Sequence, residues 1–268
     1  MPRLAVLGHP VGHSRSPAMQ NAALTALGLG EEWSYEAIDV APDAFEARVR
    51  AMPSEGFAGA NVTVPHKEAA LALADELTKT AREIGAANTL IFEAGSIRAD
   101  NTDAGGLLRA LPGSPRGRRA LVLGAGGAAR AAIWALSQAG AVVYVWNRTA
   151  ARAEAAYAEL AAQIELGGAP VESPRQEDYG IIVNTTSVGL RGEDPFVHLP
   201  LDPGKFGEEV VVDMVYGDEP SALLRAAGLA GAYTVDGLEI LVRQGALSLE
   251  AWTGREAPLA TMRAAARA

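Results

Sequence analysis

The sequence predicts a two-part α/β protein: an N-terminal unit on a mixed sheet, a second unit on a parallel sheet, and C-terminal helices that return to the first. Three observations carry this. Short apolar runs alternate with alanine-rich amphipathic segments along nearly the whole chain, the pattern of strands and helices in turn. Near the middle, Leu121-Val-Leu-Gly-Ala-Gly-Gly-Ala-Ala-Arg130 passes from an apolar run through glycines into a helix-forming segment. Just before it, Pro112-Gly-Ser-Pro-Arg-Gly117 is the sharpest break in composition, and it separates the two halves.

In the first half, strands are expected at Arg3 to Leu7, Trp33 to Val40 and Phe57 to Val62, with helices near Ala18 to Leu27 and Pro42 to Met52 between them. Helices follow at about Pro65 to Leu73 and Thr78 to Ile84. Thr89 to Phe92 and Ser96 to Ala99 then form a hairpin across Glu93-Ala-Gly95, which makes the sheet mixed. A helix from Thr102 to Leu111 leads out of this unit.

In the second half, Leu121 opens a strand-turn-helix unit, and Ala141 to Trp146 returns as a second strand at the spacing a βαβ unit needs. Further strands fall at Ile181 to Asn184, Val210 to Met214 and Tyr233 to Val235, with helices near Ala150 to Ala162 and Ser221 to Ala227. This is a Rossmann-type sheet of five or six parallel strands. Leu238 to Trp252 and Pro258 to Ala266 are helical. The expected limits are therefore 1–101, 102–236 and 237–268.

The glycine turn at Gly124, Gly126 and Ala129 suits a pyrophosphate lying on backbone N–H groups at a helix N-terminus. A glycine pattern alone is equally compatible with a plain tight turn. The second strand weighs for the dinucleotide, because it ends in Asn147-Arg148-Thr149 with no acidic residue. An acid there would accept from a ribose 2′-hydroxyl and repel a 2′-phosphate, whereas Arg148 and Arg152 attract one. NADP(H) is expected in preference to NAD(H).

Composition excludes several classes. At 268 residues, 49% hydrophobic and 21% charged, the chain is an ordinary soluble protein with room for two modest cores. No apolar run approaches the roughly 18 residues of a membrane span, and the N-terminus lacks the regions of a secretory signal, so a cytoplasmic location is expected. A net charge of −9 without a basic block argues against nucleic acid and membrane partners. Zero cysteines remove disulfides and thiolate chemistry. His9, His13, His66 and His198 lack ligand spacing, so no metal is expected.

Three polar clusters sit where strands of the first unit end. In Gly12-His-Ser-Arg-Ser-Pro17, Ser16 is placed to cap a helix whose first residue is Pro17, leaving the Ser14 and Ser16 hydroxyls beside free N–H groups that suit a carboxylate. A plain N-cap accounts for this cluster equally well. In Asn61-Val-Thr-Val-Pro-His-Lys67, Pro65 opens a helix with Lys67 in its first turn, where the positive helix end disfavours a cation. That makes Lys67 a candidate acid or base, against the commoner role of a surface lysine. Asn88-Thr89 and Asn101-Thr-Asp103 form the last cluster, and a simple helix cap also explains Asp103.

Together these clusters resemble the shikimate dehydrogenase family. The resemblance rests on Gly8-His-Pro-Val-Gly-His-Ser-Arg-Ser-Pro17, Asn61 to Lys67, Asn88-Thr89, Asn101-Thr-Asp103, the Gly124 turn, Asn147-Arg-Thr149, Asp213-Met-Val-Tyr216 and Asp236-Gly-Leu-Glu-Ile-Leu-Val-Arg-Gln244. They occur in the family's order over nearly the whole chain. The resemblance implies reversible NADPH-dependent reduction of 3-dehydroshikimate to shikimate, a step toward chorismate and the aromatic amino acids.

It also implies roles. Lys67 and Asp103 match the catalytic pair, Lys67 as acid/base and Asp103 as its orienting, charge-balancing partner. Ser14 and Ser16 match carboxylate-binding hydroxyls, with Tyr216 nearby, and Thr63, Asn88 and Gln244 match positions that bind ring hydroxyls. Gly124, Gly126, Gly127 and Ala128 match the pyrophosphate turn. Asn147, Arg148, Thr149 and Arg152 match the 2′-phosphate site, and Met214 and Gly237 the nicotinamide region. The substrate is then a small molecule and the protein a monomer or homodimer.

Ala99 and Gly217-Asp-Glu-Pro-Ser221 depart from the family pattern without touching a catalytic position. A quinate/shikimate dehydrogenase with relaxed cofactor choice is the nearest alternative, disfavoured by Arg148 without a following acid. A non-catalytic NADP(H)-sensing regulator is the alternative of another class, and it has no use for the Lys67 and Asp103 pair.

Overall fold

The computed structural model describes residues 1–268. It comprises two compact units, Met1–Gly106 with Leu241–Ala268, and Leu107–Ile240. In chain order the first unit contains β1 (Arg3–Gly8), α1 (Ser16–Ala26), β2 (Ser34–Asp39), α2 (Phe45–Ala51), β3 (Phe57–Val62), α3 (Lys67–Leu73), β4 (Glu76–Leu77), α4 (Lys79–Ile84), β5 (Thr89–Glu93) and β6 (Ser96–Asp100). The six strands form one mixed sheet in the order β2-β1-β3-β5-β6-β4. β1 runs parallel to β2 and β3, while β5 is antiparallel to both β3 and β6. The β5–β6 turn holds Ala94 and Gly95 at φ 51° and 84°, the left-handed conformation a two-residue hairpin turn demands. The short β4, which runs parallel to β6, has too few residues to show a period and is absent from the sequence reading.

α5 (Asp103–Ala110) carries the chain into the second unit. There follow β7 (Arg119–Leu123), α6 (Gly127–Gln138), β8 (Val142–Trp146), α7 (Ala150–Ala161), β9 (Ile181–Asn184), α8 (Pro195–His198), β10 (Val210–Asp213), α9 (Ala222–Leu229) and β11 (Tyr233–Val235). Five parallel strands are ordered β11-β10-β9-β7-β8. The chain steps from β7 outward to β8, then crosses to β9 on the other side of β7. That reversal is the topological switch point at which open α/β sheets bind ligands beyond their carboxyl ends.

α10 (Gly237–Thr253) returns to the first unit and α11 (Leu259–Arg267) packs along α1. Each unit has its own core. Leu7, Phe45, Met52, Leu90 and Ile97 belong to one, and Leu121, Ile182, Val211, Leu223 and Phe206 to the other. No helix is long and apolar enough to cross a membrane.

The unit limits fall inside α5 and α10, not at the expected 101/102 and 236/237. The reason is close packing within the first unit. A Cβ on Gly106 would lie 2.7 Å from the Gln244 Cβ and 2.9 Å from its backbone nitrogen, and one on Gly105 2.8 Å from the Leu247 side chain. The paired glycines let the start of α5 lie against α10, so both helices are divided between units.

Candidate active site

Strand pairing assembles the polar clusters of the first unit. The antiparallel register sets Asn61 opposite Thr89 and Thr89 opposite Asp100, so residues 61, 88–89 and 101–103 converge at one end of β3, β5 and β6. The backbone N–H of Ala87 donates to the Lys67 carbonyl at 2.9 Å, which brings the start of α3 to the same end.

Lys67 and Asp103 each begin a helix, and Lys67 Nζ lies 2.5 Å from Asp103 Oδ2. Both side chains are 13% exposed, so the pair is largely withdrawn from water yet reachable. The N-terminal dipole of α5 favours the Asp103 carboxylate, whereas that of α3 opposes the Lys67 cation. Asp103 offsets this by direct charge.

Asn88 fixes the carboxylate. Its Oδ1 accepts the backbone N–H of Thr102 at 2.7 Å, and because an N–H can only donate, the amide orientation is set. Asn88 Nδ2 then faces Asp103 Oδ1 at 2.8 Å, Thr102 Oγ1 at 2.9 Å and Gln244 Oε1 at 3.1 Å. Behind it lies a buried hydroxyl cluster, with Ser248 Oγ 2.9 Å from Thr89 Oγ1 and 3.1 Å from Thr102 Oγ1. Asn61 Nδ2 donates to Ser248 Oγ at 2.9 Å, and its Oδ1 accepts from the Tyr35 hydroxyl at 2.8 Å.

Ser14 and Ser16 stand where β1 leads into α1. The helix starts differently from expectation: Arg15 is the N-cap, Ser16 the first residue and Pro17 the second. Ser14 Oγ, not Ser16 Oγ, accepts a helix N–H, that of Ser16 at 3.2 Å. Ser16 has helical backbone, which turns its hydroxyl away from the capping position. The preceding loop is tied down by Asp39, whose Oδ2 accepts the Val11 N–H at 3.2 Å and whose Oδ1 lies 2.6 Å from His9 Nδ1. The His9 hydrogen bond holds the Asp39 carboxyl below the usual carboxylate range.

Pro65 likewise does not open α3. The Val64–Pro65 peptide is cis, His66 is the N-cap and Lys67 the first helical residue. Thr63 is half-buried against Gly8, where a Cβ would meet its methyl at 2.4 Å. The hydroxyls of Ser16 and Thr63 have no partner within the protein. They remain available to a ligand.

His66, Asn61, Thr102 and Ser248 support this site without having been singled out as site residues from sequence. Burial lowers the His66 pKa, its Nε2 lies 2.7 Å from the Val40 carbonyl, and its ring stacks on Phe45 at 4.3 Å. Ser248 lies one helical turn beyond Gln244, the one local signal that could have found it.

The second unit carries the predicted cofactor residues and Tyr216, which is half-buried after β10. Gly124 has φ 123°, and a Cβ there would meet Thr185 Oγ1 at 2.4 Å, so the turn admits only glycine. Gly126 faces open space and has extended backbone any residue adopts, so the protein itself does not require a glycine there. The first turn of α6, which includes Gly127 and Ala128, has no side-chain cap and no acid, leaving N–H donors toward that space. At the end of β8, Arg148 and Arg152 are exposed and make no ion pair. Asn147 Nδ2 donates to the Thr149 carbonyl at 2.9 Å, and Thr149 begins α7 without capping it. A Cβ on Gly237 would strike the Met214 carbonyl oxygen at 2.6 Å, so these two backbones touch. Free N–H donors, open space and unpaired arginines fit an anionic dinucleotide with an extra phosphate.

Comparison with known proteins is consistent with this geometry. Residues 6–90 match the family model described as the shikimate dehydrogenase substrate binding domain, and residues 237–267 the shikimate 5′-dehydrogenase C-terminal domain. A shikimate dehydrogenase (NADP(+)) of Methylobacterium radiotolerans is 46% identical over 265 residues, covering 94% of this chain and 92% of the relative. The chain belongs to the shikimate dehydrogenase family. Among solved family structures, that of Thermus thermophilus shikimate 5-dehydrogenase in complex with NADP(H) and shikimate has a TM-score of 0.87 at 43% identity, covering 100% of this chain and 99% of that one. The ligand-free 5-ketofructose reductase of a Gluconobacter strain shares the fold at a TM-score of 0.88 and 32% identity, covering 99% and 97%.

Proposed function

We propose that this protein is an NADP-dependent shikimate dehydrogenase, catalysing the reversible reduction of 3-dehydroshikimate to shikimate. The observation that carries this is the Lys67–Asp103 pair, 2.5 Å apart with Asp103 oriented by Asn88, in a unit that also leaves the Ser16 and Thr63 hydroxyls unpartnered. When bound, NADPH supplies the hydride to the carbonyl carbon. The remaining work falls to side chains of this chain.

Carbonyl reduction needs a proton at the oxygen, and Lys67 Nζ donates it; in the reverse direction the same nitrogen takes the hydroxyl proton. Asp103 fixes Nζ and balances its charge as the proton moves. Ser14 and Ser16 receive the substrate carboxylate at the α1 end. Thr63, Asn88 and Gln244 bind the ring hydroxyls, and Tyr216 contributes to substrate binding. On the cofactor, Gly124, Gly126, Gly127 and Ala128 hold the pyrophosphate, Asn147, Arg148, Thr149 and Arg152 the 2′-phosphate, and Met214 and Gly237 the nicotinamide end. The first unit is thus the substrate domain and the second the NADP-binding domain. The protein works in the cytoplasm as a monomer or homodimer.

The test is spectrophotometric: NADPH formation with shikimate and with quinate, each repeated with NAD in place of NADP. Turnover is expected with shikimate and NADP, and weaker turnover in every other combination. No turnover with shikimate rejects the proposal, and equal rates with quinate move it to the broader quinate/shikimate class.

A further inference from the structure

The second unit buries a carboxylate that the reaction above does not use. Asp213 ends β10 and is 1% exposed. Its Oδ1 accepts from Asn184 Nδ2 at 2.9 Å and from the Val215 N–H at 3.1 Å, and its Oδ2 accepts from Ser221 Oγ at 2.6 Å. Every partner is a neutral donor. A buried carboxylate without a cation is costly, and burial pushes the Asp213 pKa up despite these hydrogen bonds. An apolar side chain would fill the space at less cost, so the value of the carboxylate lies in geometry: two acceptor oxygens gather three separate pieces of chain.

Those pieces lead to the glycine turn. Asn184 ends β9, its carbonyl accepts the Met214 N–H at 2.9 Å, and its Oδ1 accepts the Thr186 N–H at 3.0 Å. Thr185, between them, donates its hydroxyl to the Leu123 carbonyl at 2.7 Å and stands where a Gly124 side chain would be. On the other side, Val215 follows Met214, and Ser221 caps α9 by accepting the Leu224 N–H at 3.2 Å. Contacts therefore run without a gap from Gly124 through Thr185, Asn184 and Asp213 to both ends of the segment 214–221. Gly124, Asn184 and Asp213 stand at the carboxyl ends of neighbouring strands beside the switch point, where a dinucleotide spans the sheet.

We propose that Asp213 is a positioning residue for the cofactor: it clamps the segment Met214–Ser221 to the end of β9 and so sets where Met214 stands relative to the glycine turn. This rests on the reading that the second unit holds NADP(H). The pyrophosphate and adenosine residues lie on the β7 and β8 ends, outside the clamped segment. Loosening the clamp therefore affects the nicotinamide half of the cofactor and spares the adenosine half.

The experiment compares wild type with Asp213→Asn, which turns an N–H toward a Ser221 oxygen already accepting from Leu224, and with Ser221→Ala, which removes the donor to Asp213 together with the α9 cap. Ser221→Thr is the conservative control. Calorimetry measures binding of NADP+ and of adenosine 2′,5′-bisphosphate, and hydrogen exchange of the ligand-free protein reads the Val215 amide. In Asp213→Asn, exchange at Val215 is expected about tenfold faster and NADP+ binding about fivefold weaker or more, from loss of buried hydrogen bonds. Binding of the bisphosphate stays within about twofold. Ser221→Ala follows in the same direction and Ser221→Thr behaves as wild type. Unchanged exchange at Val215 in both Asp213→Asn and Ser221→Ala overturns the clamp. Equal losses for NADP+ and the bisphosphate overturn it too, because Asp213 would then support the whole unit. Failure of the wild type to bind NADP+ rejects the underlying reading instead, while the exchange measurement still tests the clamp.

Discussion

Lys67 occupies the helix end least suited to a cation, and the surrounding residues are arranged to keep its nitrogen in place. Asp103 pairs with it, Asn88 orients Asp103, and the Thr102 N–H orients Asn88. Replacing Lys67 with alanine is expected to lower turnover at least about a hundredfold, with substrate KM changing less. Near-normal turnover would remove Lys67 from the chemistry. His66, the adjacent cap, predicts a pH effect on stability. Burial holds its pKa below the ordinary value of 6.5, so the folded protein keeps it neutral where the unfolded chain is protonated. Its contribution is therefore complete above pH 6.5 and is lost as the pH falls from there toward the folded pKa. Urea unfolding across that window should show a shallower loss of stability in His66→Gln than in wild type. An unchanged slope would mean that other groups govern it.

Among the elements, α5 and α10 do most to shape the candidate site of the first unit. Their approach within the first unit depends on Gly105 and Gly106, and it brings Gln244 within 3.1 Å of Asn88. α10 is held from its other end by Trp252, whose Nε1 donates to the Leu90 carbonyl at 3.0 Å. Gly106→Ala places a methyl against the Gln244 Cβ and backbone, none of which a rotamer change can clear, so α10 must move. Overpacking of this kind costs about 1–3 kcal/mol. The expected result is a shikimate KM raised about fivefold or more, roughly 1 kcal/mol of displaced contacts, with NADP+ affinity unchanged. Equal effects on both ligands would show that the damage is not local to Gln244.

For the whole molecule, the important fact is that the first unit is discontinuous in sequence. Residues 241–268 complete it: α11 packs along α1, Met262 and Ala266 are buried, and the Arg255 guanidinium donates to the Leu27 carbonyl at 2.7 Å. A chain ending at Gly254 loses the buried Met262 alone at about 2–3 kcal/mol, and uncovers α1, which carries Ser16. Shikimate binding should weaken markedly in this truncated chain, while adenosine 2′,5′-bisphosphate binding, which depends on the other core, is retained. Calorimetry of the two ligands separates these outcomes, and parallel loss of both would contradict independent cores. The net charge of −9 adds a constraint, since anionic ligands must be met by local donors such as Arg148 and the α6 N-terminus.

What could be read from the chain was local. Apolar alternation located the strands from β1 to β11 apart from the two-residue β4, the glycine turn marked the start of α6, and the absence of an acid after β8 favoured the extra phosphate. These signals survive without tertiary contacts because they reflect backbone sterics and side-chain period within one element. Helix starts were less legible, since Ser14 rather than Ser16 receives the helix N–H, and α3 begins two residues after Pro65. The partners that make the site lay beyond local reading altogether. Asn88 meets Gln244 across 156 residues, Asn61 meets Ser248 across 187, and Asp213 meets Asn184 across 29. Such contacts depend on strand register and on the rotation of α10 about its axis, quantities that only the packing of the folded chain settles. Residue order nominated the candidate side chains; the fold decided which of them touch.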